Sequence, residues 1–137
     1  NAACSRALQT RQPQPAEVAL ARLTRGIARS VLGDKVLATE DYREALKHYD
    51  GAIDPRNPDA LNLYRRAASL DALGQTDRAL ADYSEAIRVD PKGALAFLGR
   101  GVLLASRKRS YDRAIDDFSR TIEIEPNNTA AYIARGN

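Results

Sequence analysis

Residues 74 to 91 read GQTDRALADYSEAIRVDP, and 35 residues further on, residues 109 to 126 read RSYDRAIDDFSRTIEIEP. The two copies agree at Asp77/Asp112, Arg78/Arg113, Ala79/Ala114, Asp82/Asp117, Ser84/Ser119, Ile87/Ile122 and Pro91/Pro126, with Leu80/Ile115, Tyr83/Phe118 and Val89/Ile124 as like exchanges. Ala79, Leu80, Tyr83, Ala86 and Ile87 fall at spacings that make one stripe of an α-helix. Asp-Pro or Glu-Pro closes each copy, because proline lacks an N–H and disfavours helical dihedrals in the residue before it. Thr76 and Ser110 stand where an N-cap is useful, beside Asp77 and Asp112 at the positive end of the helix dipole.

A further helix precedes each copy: ALNLYRRAASLDALG from Ala60 and ALAFLGRGVLLASRK from Ala94. Leu63, Tyr64, Ala67 and Leu70 pair with Phe97, Leu98, Gly101 and Leu104 at an offset of 34. Two helices in a period of 34 or 35 residues mark a solenoid, in which each unit buries its apolar face against its neighbours. The fold class is therefore all-α. An earlier unit departs from the period. A shift of 41 places Gly33, Ala38, Asp41, Tyr42 and Ala45 on Gly74, Ala79, Asp82, Tyr83 and Ala86, while Tyr49 and Ala52 match Tyr83 and Ala86 at 34. Both registers hold because seven residues make nearly two helical turns. Residues 35 to 53 are expected to form one long helix projecting about 7 Å beyond its counterparts, at about 1.5 Å per residue. Arg29 takes the place of Leu70 and Leu104, which leaves the packing of that unit open.

These positions resemble the tetratricopeptide repeat family, whose pattern asks for a large residue, a small one four later, a large one three beyond, and then alanine, aromatic, small residue and proline in the second helix. Leu63, Ala67, Leu70, Ala79, Tyr83, Ala86 and Pro91 fill it once; Phe97, Gly101, Leu104, Ala114, Phe118, Thr121 and Pro126 fill it again, with one extra residue in the turn. The resemblance implies a right-handed α-α superhelix divided as 1–15, the end of a truncated repeat and a loop; 16–58, 59–92 and 93–128, three repeats; and 129–137, the start of a fourth, where Tyr132, Arg135 and Gly136 repeat Phe97, Arg100 and Gly101. The opening Asn1-Ala2 reads as a tag remnant, and both ends as truncations. CSRAL at Cys4 to Leu8 resembles YSEAI and FSRTI, and also the start of short exported bacterial repeat proteins, in which such a cysteine can pair with another upstream. Cys4 fits equally as a buried small residue, so a periplasmic and a cytoplasmic compartment both stay open.

The family holds its partners in a concave groove lined by the first helices. Carried over, that surface comprises Leu20, Leu23 and Ile27, then Tyr64, Arg65, Ala68 and Asp71, then Leu98, Gly99 and Val102, and lastly Ile133. Members that grip a terminal carboxylate use lysine, arginine and asparagine at such places. Here Arg65 alone is a suitable cation, so the expected guest is an apolar or amphipathic helical segment of a protein or peptide. A self-associating homo-oligomer is the alternative. Arginine precedes the small residue in each first helix, at Arg25, Arg66, Arg100 and Arg135, where the family usually has an apolar residue. Asp41, Asp82 and Asp117 precede the aromatic residues of the second helices. A guanidinium close to a helix contact needs a carboxylate partner, preferably a bidentate one, which predicts a ladder of structural ion pairs.

Other chemistry finds little support in the sequence. Basic and acidic residues number 21 and 18 and are interspersed, so a nucleic-acid partner is not indicated. RKRSYDR at Arg107 to Arg113 is the densest basic stretch and lies in a turn, where solvation accounts for it. His48 lacks a ligand set, one cysteine makes neither a disulfide nor a thiolate cluster, and Asp116, Asp117, Glu123 and Glu125 lie along a helix rather than facing one another. No glycine-rich phosphate loop, cofactor site, membrane span or catalytic constellation is read, and no enzyme activity is expected.

Overall fold

A computed structural model describes residues 12–136. Among them are seven helices and no strand: α1 Pro15–Val31, α2 Lys35–Ala52, α3 Ala60–Ala72, α4 Thr76–Val89, α5 Ala94–Ser106, α6 Tyr111–Ile124 and α7 Thr129–Arg135. They pair in chain order as hairpins α1–α2, α3–α4 and α5–α6, with α7 against α6, and each hairpin packs on the next. The chain is an all-α repeat solenoid. Cys4 and the CSRAL stretch lie outside the described residues.

Tight turns close the hairpins. Gly33 and Gly74 adopt φ of 87° and 78°, a left-handed conformation that glycine takes without steric cost. The amides just beyond, of Asp34 and Gln75, return to the carbonyls of Arg29 and Leu70, both at 2.9 Å. In the third hairpin the extra residue puts Arg109 in that role at φ 51°, and the Ser110 amide reaches Leu104. The turn geometry decides the helix starts. Gln75, not Thr76, is the N-cap of α4, and Ser110 caps α6 without a side-chain hydrogen bond. Side-chain caps occur instead at Asp34, Asp59 and Asn128.

Measured from Gly33, both arms of the first hairpin are longer, at 17 and 18 residues against 13 and 14 in the second. The sequence had suggested an extension of α2 alone. At the far ends, the last helical amides are those of Ile53, Asp90 and Glu125, each within two residues of Pro55, Pro91 or Pro126.

Packing within hairpins rests on a small residue beneath an aromatic ring. A Cβ on Gly26 would stand 2.8 Å from Tyr42, and one on Gly101 would stand 2.5 Å from Phe118; Ala67, fully buried, fills the equivalent place near Tyr83. Such contacts bring the helices into dense packing. Tyr49 joins the first core cluster together with Leu23, Leu63 and Ala96, so this cluster spans three hairpins. The Tyr49 hydroxyl is buried without a hydrogen-bond partner, and burial raises its pKa. Tyr49→Phe is expected to raise stability by about 1 kcal/mol, because an unsatisfied buried hydroxyl costs roughly that much. A lower melting temperature for this variant would show that the hydroxyl is satisfied after all.

Candidate functional site

The face carrying the first row of candidate residues is built by helical spacing. Leu61, Tyr64, Ala68 and Asp71 recur at intervals of three and four on α3, as do Leu95, Leu98 and Val102 on α5. Ile27, Leu61, Leu95, Val102 and Ile133 are exposed aliphatic residues, Ile133 by 69 %. Leu20, Tyr64, Arg65, Ala68, Asp71, Leu98 and Gly99 are half-buried. Leu23 departs from its expected place: it is buried in the first core cluster and supports this face from beneath. On α1 the exposed aliphatic side begins one position round the helix, at Ile27.

Two further residues belong on this face that the sequence reading did not name. Leu61 and Leu95 border a depression of about 370 Å3 whose lining also includes Tyr64, Ala60 and Ala94 and the polar or charged Asp90, Lys92 and Glu125. Their signal was present, since each lies three residues before a named position and Leu20 aligns with Leu61 at 41. Tyr64 packs on Tyr83 with ring centroids 5.9 Å apart, and the Tyr83 ring lies so near Gly99 that a Cβ there would stand 2.7 Å away. Gly99 therefore admits the aromatic ring that joins the second hairpin to the third. Burial pushes both phenols up in pKa. Asp71 is shielded, and Arg107 Nε lies 3.4 Å from its Oδ1 without the alignment of a hydrogen bond. The face is thus largely apolar, with Arg65 on it.

The arginine and aspartate candidates come together in each hairpin. Arg25 donates from Nε and Nη2 to Asp41 at 2.7 to 3.1 Å; Arg66 binds Asp82 in the same way at 2.7 and 2.9 Å; Arg100 binds Asp117 at 2.9 and 2.8 Å. The fork of the guanidinium matches the two carboxylate oxygens. Arg29, whose packing the sequence left open, turns to the same acid and donates from Nη1 to Asp41 at 2.9 Å. Hydrogen bonding from Arg25 lowers the Asp41 carboxyl against the opposing effect of burial, with Arg29 and Arg22 adding attraction. The same bonding raises the pKa values of Arg66 and Arg100.

Two cations of the basic turn meet acids of the second hairpin. Arg107 faces Asp71, and Lys108 donates to Asp77 at 2.6 Å, which ties the third hairpin's turn to the second hairpin. Among the described residues no group of His, Cys, Asp and Glu is placed to hold a metal ion, and no helix is long and apolar enough to cross a membrane.

Comparison with known proteins gives one consistent result. Residues 64–129 match the family model described as "Tetratricopeptide repeat". The chain is 32 % identical over 77 residues, 56 % of its length, to the small glutamine-rich tetratricopeptide repeat-containing protein 2 of Mycosarcoma maydis; the match spans 22 % of that relative. Among solved structures it is similar to the Arabidopsis OM64 TPR domain, at 28 % identity and a TM-score of 0.58 over 88 % of this chain and 93 % of that one. It is also similar to the second TPR domain of human RPAP3, solved in complex with the HSP70 peptide SGPTIEEVD, at 26 % identity and a TM-score of 0.56 over 88 % and 94 %.

Proposed function

We propose, since this chain belongs to the tetratricopeptide repeat family, that it is a protein-interaction scaffold whose repeats, bounded at 16–58, 59–92 and 93–128 with a fourth beginning at 129, hold an apolar or amphipathic helical segment. The guest lies along the face of Leu61, Tyr64, Leu95, Leu98 and Val102. The observation that carries this reading is the exposed pair Leu61 and Leu95 at matching positions of α3 and α5, continued by the half-buried pair Tyr64 and Leu98 and by exposed Val102. Apolar rows of this kind mark interaction surfaces, and a helix with anchors at intervals of three and four fits them. The similarity to a domain solved with an HSP70 peptide supports the scaffold class. The peptide in that complex, SGPTIEEVD, is acidic towards its end, whereas Arg65 and Lys92 are the cations named on this face and Lys92 lies beside Asp90 and Glu125, so the guest's chemistry differs.

Selection from a displayed peptide library tests the reading. The expected winners carry leucine or aromatic residues at helical spacing, and Val102→Asp or Leu61→Asp should weaken them at least tenfold by placing a charge against apolar contacts. Recovery of acidic C-terminal tails, or affinity unchanged in both variants, would overturn it. The same aliphatic row suits a second copy of the chain, and solution size across a dilution series separates the two occupants.

A further inference from the structure

One arginine per hairpin reaches backward as well as sideways. Arg66, Arg100 and Arg135 donate from Nη1 to Asp50, Ser84 and Ser119 at 3.2, 3.3 and 3.4 Å, each acceptor lying 16 residues upstream on the second helix of the preceding hairpin. That preceding helix also covers the side chains beside the arginine. Ser69 and Leu103, at matching places on α3 and α5, are both 0 % exposed.

Helix α1 presents the same face with no helix upon it among the described residues. Ala28 and Leu32 align with Ser69 and Leu73 at the spacing of 41. Leu73 packs on the core, whereas Ala28 is exposed and Leu32 is 83 % exposed. Arg25 spends Nε and Nη2 on Asp41, and its Nη1 has no acceptor among the described residues.

The charge on this face differs too. Where α3 has Leu63 and Leu70, α1 has Arg22 and Arg29. Three guanidiniums therefore share the one carboxylate of Asp41, at 3.8, 2.7 and 2.9 Å, while Arg66 alone lies between Asp50 and Asp82. The cluster on α1 carries a surplus of two positive charges. Glu17, the one acid of this helix, lies in its first turn.

We propose that this outer face of α1 docks an acidic amphipathic helix from another protein, seated as α2 is seated on α3. Its carboxylates meet Arg25 Nη1, Arg22 and Arg29, and its aliphatic side chains cover Ala28 and Leu32. Charge selects this occupant. Residues 1–11 contain two arginines and no acid, and α6, which is rich in exposed acids, sets Arg113 and Arg120 among them. The proposal concerns a different face from that of Leu61 and Val102 and does not rest on the reading given for it.

The test uses the 137-residue chain and two synthetic helical peptides of about 18 residues, or five turns. Both carry the same leucine stripe, flanked in one by glutamates and in the other by lysines, and binding is followed by fluorescence anisotropy at low salt and at about 0.15 M. Binding is read in the Val102→Asp chain, in which the Leu61–Val102 face is blocked; there the glutamate peptide is expected to bind and to weaken with salt, and the lysine peptide to show no binding. Leu32→Asp and Arg22→Gln should each weaken the glutamate peptide about tenfold, a loss of about 1.4 kcal/mol. Leu32 is 83 % exposed and the Arg22 side chain 39 %, so helical circular dichroism should stay unchanged in both variants. Equal binding of the two peptides to Val102→Asp, binding there indifferent to an added Leu32→Asp, or no binding to Val102→Asp would overturn the proposal. Self-association abolished by Leu32→Asp, with no peptide bound, would assign the face to a second copy and overturn it as well.

Discussion

Asp41→Ala is expected to lower stability by about 2 to 3 kcal/mol and the melting temperature by roughly 5 to 10 °C. The carboxylate is 2 % exposed and accepts four hydrogen bonds, three from Arg25 and one from Arg29. Its removal leaves several guanidiniums without their anion. Breaking a fully buried pair costs about 3 to 5 kcal/mol; here the arginine side chains are 29 to 47 % exposed, and water screens them once the partner is gone. Asp82→Ala should cost less, because Arg66 keeps Asp50 at 3.2 Å. Glu85→Ala should leave the melting curve unchanged, since Glu85 meets Arg88 on the surface. Equal melting temperatures for the Asp82 and Glu85 variants would dismiss a structural role for the ladder.

Acid provides a second readout of the same group. The Asp41 carboxyl titrates below its unfolded value of 3.8, so the native state binds its proton less readily than the unfolded chain does. The contribution is complete above about pH 4 to 5 and disappears as the pH falls through the lowered native value. Asp41→Asn, which keeps the shape without the charge, should flatten the loss of stability in that window. An unchanged acid profile in this variant would assign the loss to other groups.

The fold was legible because its determinants are local and repeated. Gly33 and Gly74 mark turns, Pro55, Pro91 and Pro126 mark helix ends, and Gly26, Ala67 and Gly101 recur at a fixed distance from an aromatic residue; each acts within a few residues of itself in space. Arg29 was illegible for the opposite reason. Its aligned counterparts Leu70 and Leu104 lie under a preceding hairpin, whereas the outer side of α1 has none among the described residues, so a charged residue can reach both Asp41 and water. Thr76 misled because hydroxyl propensity for an N-cap yields to the turn: the Gln75 amide is tied to Leu70, Gln75 becomes the N-cap, and the helix begins at Thr76, one residue earlier than a cap at Thr76 would place it. Leu23 was misplaced because spacing gives the width of an apolar stripe but not which edge of it faces the neighbouring helix.

Gly101→Val is the substitution that tests the close approach of α5 and α6. A Cβ at this position would stand 2.5 Å from Phe118 Cε1, 2.8 Å from its Cδ1 and 3.2 Å from the Asp117 Cβ. The ring has little freedom to retreat, because Phe118 is 2 % exposed and packs with Leu104 and Ala114. Moving the helix instead pulls Asp117 from Arg100, so steric strain and the loss of a charged hydrogen bond arrive together. The expected cost is about 3 kcal/mol. Gly51→Ala is the matched control: it lies near the end of α2 with nothing within 4 Å of its Cβ, and should gain roughly 0.5 to 1 kcal/mol from helix propensity. Combining Gly101→Val with Phe118→Leu gives the branched side chain room and should recover part of the loss, as expected for residues in direct contact. Additive effects of the two changes would mean that Gly101 acts through backbone conformation rather than through the space beneath the ring.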